Sequence, residues 1–180
     1  MTRLDFEITF HSPFRVASGQ GGEGAHDTVE ADRLPASSLA GVVRATAASL
    51  LGEKNPVLDE VFGSSAQPSP WRWTPARPCG AWHHANPAAR VRIDEATGAA
   101  QEDMLVLAEQ TGAEAATFSV RRFRHVPAER VDTHKAVLIV AAQATRSLGA
   151  WRRRGLGWVG IRCTDEPDEQ TVRRFLELKR

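Results

Sequence analysis

The chain has 180 residues, 42% hydrophobic and 25% charged, with a formal net charge of +1. This is ordinary composition for one soluble globular domain, and no internal repeat or low-complexity tract is evident. Two cysteines, Cys79 and Cys163, make no disulfide framework. The longest apolar run, AVLIVAA (136–142), is too short to span a membrane, so a cytoplasmic location without membrane partners is expected. Near-zero net charge does not exclude polyanions. Arginine is clustered in RVR (90–92), RRFR (121–124) and WRRRG (151–155), and local basic patches bind polyanions whatever the total.

LDFEITF (4–10) alternates Leu4, Phe6, Ile8 and Phe10 with polar residues, the period of a half-buried strand. GQGGEG (19–24) then satisfies the spacing G-x-G-x-x-G. In a dinucleotide-binding unit the last glycine opens a helix directly. Here AHDTVEADRLP follows, with Pro35, and the next helix waits until Ser37. The spacing lacks its context, and the run is read as a flexible loop.

In LPASSLAGVVRATAASLLG (34–52), Leu39, Val42, Val43, Ala47, Leu50 and Leu51 recur at helical spacing. Ser37 or Ser38 can cap this helix, expected near 38–51, and Gly52 can end it. Residues 64–88 are rich in Pro, Trp and Gly without periodicity and read as a surface excursion. ARVRIDEATGAA (89–100) alternates up to a turn at Ala96-Thr97-Gly98, an arm of a hairpin near 89–110. A strand near 117–123, a buried helix near 134–148 closed by Gly149, a strand near 157–163 and a short tail helix follow. The order predicts one α+β domain over 1–180 with a ferredoxin-like (RRM-like) β-α-β-β-α-β core, a hairpin insertion and long surface loops. Its core strands are expected near 4–10, 89–94, 117–123 and 157–163.

Several stretches in order, SPFRVASGQGGEGAHDTV, LPASSLAGVVRA, VFGSS, RIDEATGAA and SLGAWRRRGLGWVGI, resemble the successive motifs of the RAMP superfamily. These are the RNA-binding subunits of type III CRISPR effector complexes. The resemblance implies CRISPR RNA and target RNA as ligands, and other effector subunits or copies of the same chain as partners. It is nearest to backbone subunits in which an aspartate between first strand and first helix is needed to cut target RNA. GAHDTV (24–29) puts Asp27 at that position.

Such an aspartate can recruit Mg²⁺ or orient a 2′-hydroxyl toward the adjacent phosphate. His26 can shuttle a proton, histidine being the side chain that ordinarily titrates near neutrality. The plainer alternative is a solvated carboxylate beside Glu23, Glu30 and Asp32. Ser37, Ser38, Gly41 and Arg44 are candidates for phosphate contact at the first helix. Gly41 also suggests close backbone approach, by RNA or another element. Arg152, Arg153 and Arg154, with Gly155 and Gly157, offer charge and backbone amides to RNA. Ala40 and Glu95 stand where relatives often carry basic residues.

Cys79, His83 and His84 lack zinc-ligand spacing, and no metal site is expected from them. Trp71, Trp73 and Trp82 either stack on bases or pin their loop to the body. His11, His125 and His134 receive no role. Three functions remain: a target-cutting subunit, a catalytically silent structural one, and a metal-independent nuclease that processes guide precursors through His26.

Overall fold

The computed structural model describes residues 2–22, 24–165 and 167–179. Strand β1 (Arg3–Phe10) buries Leu4, Phe6 and Ile8 and turns the alternate positions outward. It lies between β6 (Ala115–Arg122) and β7 (Val159–Cys163), antiparallel to both. Along the far edge of β6 run β2 (Trp71–Trp73) and β3 (Arg77–Pro78), two pieces of one interrupted strand. Counting that pair as one gives the spatial order 4-1-3-2, the ferredoxin-like arrangement.

The sheet's apolar face is covered by α1 (Ala36–Leu51) and α3 (Ala128–Ala144). Helix α1 presents Leu39, Val43, Ala47 and Leu51, a stripe spaced by four. Helix α3 buries both sides of its middle, from Ala136 to Ile139 and again at Ala141 and Ala142. At its end the Thr145 hydroxyl bonds that of Thr46 on α1 at 2.9 Å. Phe6 stacks on Phe118 at 4.9 Å, and Trp73 on Phe118 at 5.8 Å, so the core runs unbroken to the β2 edge.

Four expectations need correction. The strand foreseen at 89–94 is not in the core sheet. It is β4 (Asn86–Ile93), paired only with β5 (Ala100–Gln110) in a separate hairpin. Val91, Ile93, Leu105 and Val106 are all exposed there, because this hairpin projects from the body rather than covering it. The second core strand comes instead from the stretch read as a surface excursion. Trp-Arg-Trp is too short to show a period, and Pro75 and Pro78 suit only an edge.

Helix α1 is capped by Pro35, whose carbonyl accepts from Ser38 and Leu39, and neither serine side chain caps it. Helix α3 starts at Ala128 and stops at Ala144, and Gly149 is not its terminator. Residue 149 adopts φ +78 with its α-carbon against the carbonyl of Arg15, where a Cβ would not fit.

One helix escaped the sequence reading, α2 (Pro56–Phe62). Asn55 accepts the amide of Val57 and Pro56 takes the first helical position, a recognisable start signal. The tail helix is α4 (Glu169–Glu177). No helix of the described residues is long and apolar enough to cross a membrane.

Candidate functional site

The glycine run is the end of a small hairpin, not a flexible loop. Ser18 donates to Thr28 at 3.0 Å, Thr28 to Gln20 at 2.9 Å, and Gly22 and Ala25 exchange amide bonds across the tip. Glu23 lies outside the described residues. The returning arm is fastened along β5. His26 donates its amide to Leu107 at 2.7 Å, and Glu109 donates to the Asp27 carbonyl at 3.0 Å. Asp27 therefore sits on fixed backbone between the glycine hairpin and the base of the β4–β5 hairpin.

Its carboxylate is paired. Oδ2 lies 2.7 Å from an Nη of Arg15, and Oδ1 accepts the Gly19 amide at 3.3 Å. The side chain of Asp27 keeps 28% of its surface exposed, whereas that of Arg15 keeps 3%. The solvated carboxylate of the plainer reading is thus corrected to a half-buried, ion-paired one. His26 is exposed, and its Nδ1 accepts the Leu107 amide at 3.0 Å. That bond places the ring proton of the neutral tautomer on Nε2, which is left to face a ligand.

No three His, Cys, Asp or Glu side chains gather as a cation site among the described residues; the Asp27 carboxylate already faces a guanidinium, and that of Glu109 accepts the Val29 amide at 3.0 Å. Mg²⁺ held through one carboxylate, water and substrate phosphate needs no such cluster. Cys79, His83 and His84 make no metal cluster among the described residues either.

The arginine-rich turn is the next part. Trp151 enters it with φ +59, and Arg152–Arg154 form a single 3₁₀ turn. All three arginines are exposed, with no acidic partner among the described residues. Gly155, at φ +83, has open space where a Cβ would stand, so a ligand's phosphate can come close. Gly157 is different, and its RNA-contact role is corrected. It is buried, its amide donates to Pro13 at 2.7 Å, and a Cβ would strike the carbonyl of Leu148.

The turn and Asp27 belong to one cluster. The Trp151 ring lies 4.6 Å from the Arg15 guanidinium and 5.4 Å from that of Arg90 on β4. Arg90 also donates to the Arg154 carbonyl at 2.8 Å. Nothing local in the sequence marks Arg15, whose partners lie 12 and 94 residues away.

The first-helix candidates form a second surface that shares no residue with this cluster. A groove of about 600 Å³ is lined by Ser37, Gly41, Arg44, Arg72, Phe123 and Arg124 among others. Ser37 is exposed and Ser38 half-buried. Gly41 is exposed, and a Cβ there would meet nothing within 4 Å among the described residues. Arg44 is committed internally, bonding the Gly63 carbonyl at 2.6 Å and Asp59 at 3.0 Å. Its side chain is still 42% exposed at the edge of the groove.

The tryptophans of the former loop pin it to the body. Trp71 is buried and donates Nε1–H to Nδ1 of His134 at 3.1 Å, while Trp82 meets Phe10 and Phe14 edge-on. Burial pushes the His134 imidazolium below its ordinary range, against the opposing pull of Glu60. The aromatic side chain that the sequence reading missed as a stacking candidate is Trp158. It is 61% exposed just after the arginine turn and rests on His11 at 4.9 Å.

A family model described as the RAMP superfamily matches residues 7–160. Among solved structures, a chain of the Type III-B Cmr-beta complex bound to cognate target RNA is similar, with a TM-score of 0.61 and 19% identity. The match covers 89% of this chain and 58% of that one, so this chain spans little more than half of that relative's length. A chain of the same complex in its apo state gives a TM-score of 0.64 at 12% identity, covering 91% of this chain and 97% of that one. No curated protein sequence matches significantly.

Proposed function

The chain belongs to the RAMP superfamily, and from that premise we propose that it is an RNA-binding subunit of a type III CRISPR effector complex that cuts target RNA at Asp27. Support for the assembly comes from its relatives, which are chains of Cmr-beta complexes, one of them bound to cognate target RNA. Support for cutting comes from one observation. A partly exposed carboxylate is held in a fixed direction between a projecting hairpin and an exposed arginine turn.

The arginines and the Gly155 backbone attract and place the RNA phosphates. Each carboxylate oxygen of Asp27 keeps a lone pair beyond its bond to Arg15 or Gly19, so it can accept a hydrogen bond from a 2′-hydroxyl. Attack then forms the bond from the 2′-oxygen to phosphorus and breaks the bond to the 5′-oxygen. The 2′-hydroxyl loses its proton to Asp27 or water, and the 5′-oxygen gains one from water. The products are a cyclic phosphate and a 5′-hydroxyl. His26 Nε2–H serves as a hydrogen-bond donor to the phosphate. This geometry does not favour guide processing with His26 as base, since Nδ1 is already occupied.

The silent structural subunit is the second reading, and the ion pair itself favours it, because pairing with the buried Arg15 already gives the carboxylate a structural role. The assay is cutting of end-labelled complementary RNA by the assembled complex, with the product ends identified chemically. Cyclic phosphate at sites in register with the guide supports the proposal. An intact target in every assembly supports the silent reading.

A further inference from the structure

Arg15 stands at a junction that the reaction above does not explain. It is 2% exposed. Its guanidinium reaches Asp27 Oδ2 at 2.7 Å, the Glu109 carbonyl at 3.0 Å and the Trp151 face at 4.6 Å. Its own carbonyl accepts the Ala150 amide at 2.8 Å and abuts Gly149. One side chain thus joins the Asp27 arm, the base of the β4–β5 hairpin and the entry to the arginine turn. A buried guanidinium is costly unless paired, and Asp27 is its one anionic partner among the described residues. The pairing acts in both directions, since the planar fork fixes where the carboxylate lies. With Gly19 bonding the other oxygen, Asp27 is oriented before any substrate arrives.

We infer that Arg15 is a positioning residue for the cleavage reaction proposed above, on which this inference rests. It sets the direction of the Asp27 carboxylate and, through Trp151, links that direction to the arginine turn. A merely structural Arg15 would, when replaced, lower the fraction of competent complexes without altering the rate of each. A positioning Arg15 changes the rate constant itself, because an ångström of misplacement at a reacting group costs about 10²-fold.

The test is single-turnover cutting of labelled target at saturation by the reconstituted complex, comparing wild type, Arg15→Gln, Arg15→Lys and Asp27→Asn. Arg15→Gln is expected to lower the rate constant about 10²-fold at full reaction amplitude, with guide and target affinity unchanged. Arg15→Lys keeps the charge without the fork and recovers part of the loss. If Arg15→Gln does not assemble, Arg15→Lys decides, with an expected rate constant at least about tenfold below wild type at full amplitude. A wild-type rate constant in an assembled Arg15 variant, with Asp27→Asn inactive, overturns the inference and leaves the cleavage reading standing. Reduced amplitude at an unchanged rate constant, or failure of both variants to assemble, makes Arg15 a scaffold and also overturns it. If Asp27→Asn cuts like wild type, the cleavage reading falls first, and Arg15 has nothing to position.

Discussion

Glycine serves two purposes within three residues of the arginine turn. Gly157 is needed twice, for φ +73 and for contact with the Leu148 carbonyl, whereas Gly155 is needed only for φ +83. Gly157→Ala should therefore cost about 3 kcal/mol or more, combining left-handed strain with overpacking. Gly155→Ala should cost about 1–2 kcal/mol from strain alone. Equal losses in urea titrations would mean that the packing around Gly157 yields easily. His134 gives a pH test. Its folded value lies below its ordinary 6.5, so the unfolded chain binds more protons just below that pH. Stability is full above about pH 6.5 and falls as acid approaches the folded value. His134→Gln, which still offers an acceptor to Trp71, should flatten that slope below about pH 6.5.

Elements were legible where a period was long enough to read. β1, α1 and the 96–98 turn announced themselves, the turn through Asp94, whose carboxyl accepts the Thr97 and Ala96 amides. The Thr97 amide foremost holds that carboxyl below its ordinary range. The edge strand at Trp71–Trp73 was hidden, because its identity depends on pairing with β6 and on an indole bond to a histidine 63 residues away. The alternating β4 misled for the opposite reason, since alternation reports a strand but not which sheet it joins. If β2 is a core strand, Trp71→Ala should cost about 3–5 kcal/mol in denaturant unfolding. A surface loop would lose less than about 0.5 kcal/mol.

At the scale of the whole molecule, the charge of +1 conceals a division of labour among arginines. Arg15, Arg44 and Arg130 hold the chain together, bonded to Asp27, Asp59 and Glu60. Arg152, Arg153 and Arg154 are left exposed. Clustering in the sequence found the exposed set. Arg44, a candidate from the first helix, also bonds Asp59 and the Gly63 carbonyl, a tertiary fact that no local pattern announces. Replacing Arg152, Arg153 and Arg154 together with Ala should weaken RNA binding alike across sequences. It should also reduce the log–log salt slope by up to about 2, near 0.7 per phosphate contact on a single strand. An unchanged slope in an anisotropy titration would place the RNA elsewhere, with the groove at Ser37, Gly41 and Arg72 the next surface to test.

The central claim, that this subunit cuts target RNA through Asp27, is tested most directly by one comparison. Target cutting by the reconstituted complex is measured for wild type and Asp27→Asn, with guide and target binding measured on the same preparations. Asn keeps the size of the side chain and loses its charge, which leaves the buried Arg15 guanidinium without its anionic partner, so the assembled fraction is measured on each preparation as well. The account predicts that binding survives while the cutting rate falls by about 10³-fold or more, roughly 4 kcal/mol in the barrier. Cutting at the wild-type rate by Asp27→Asn would contradict it.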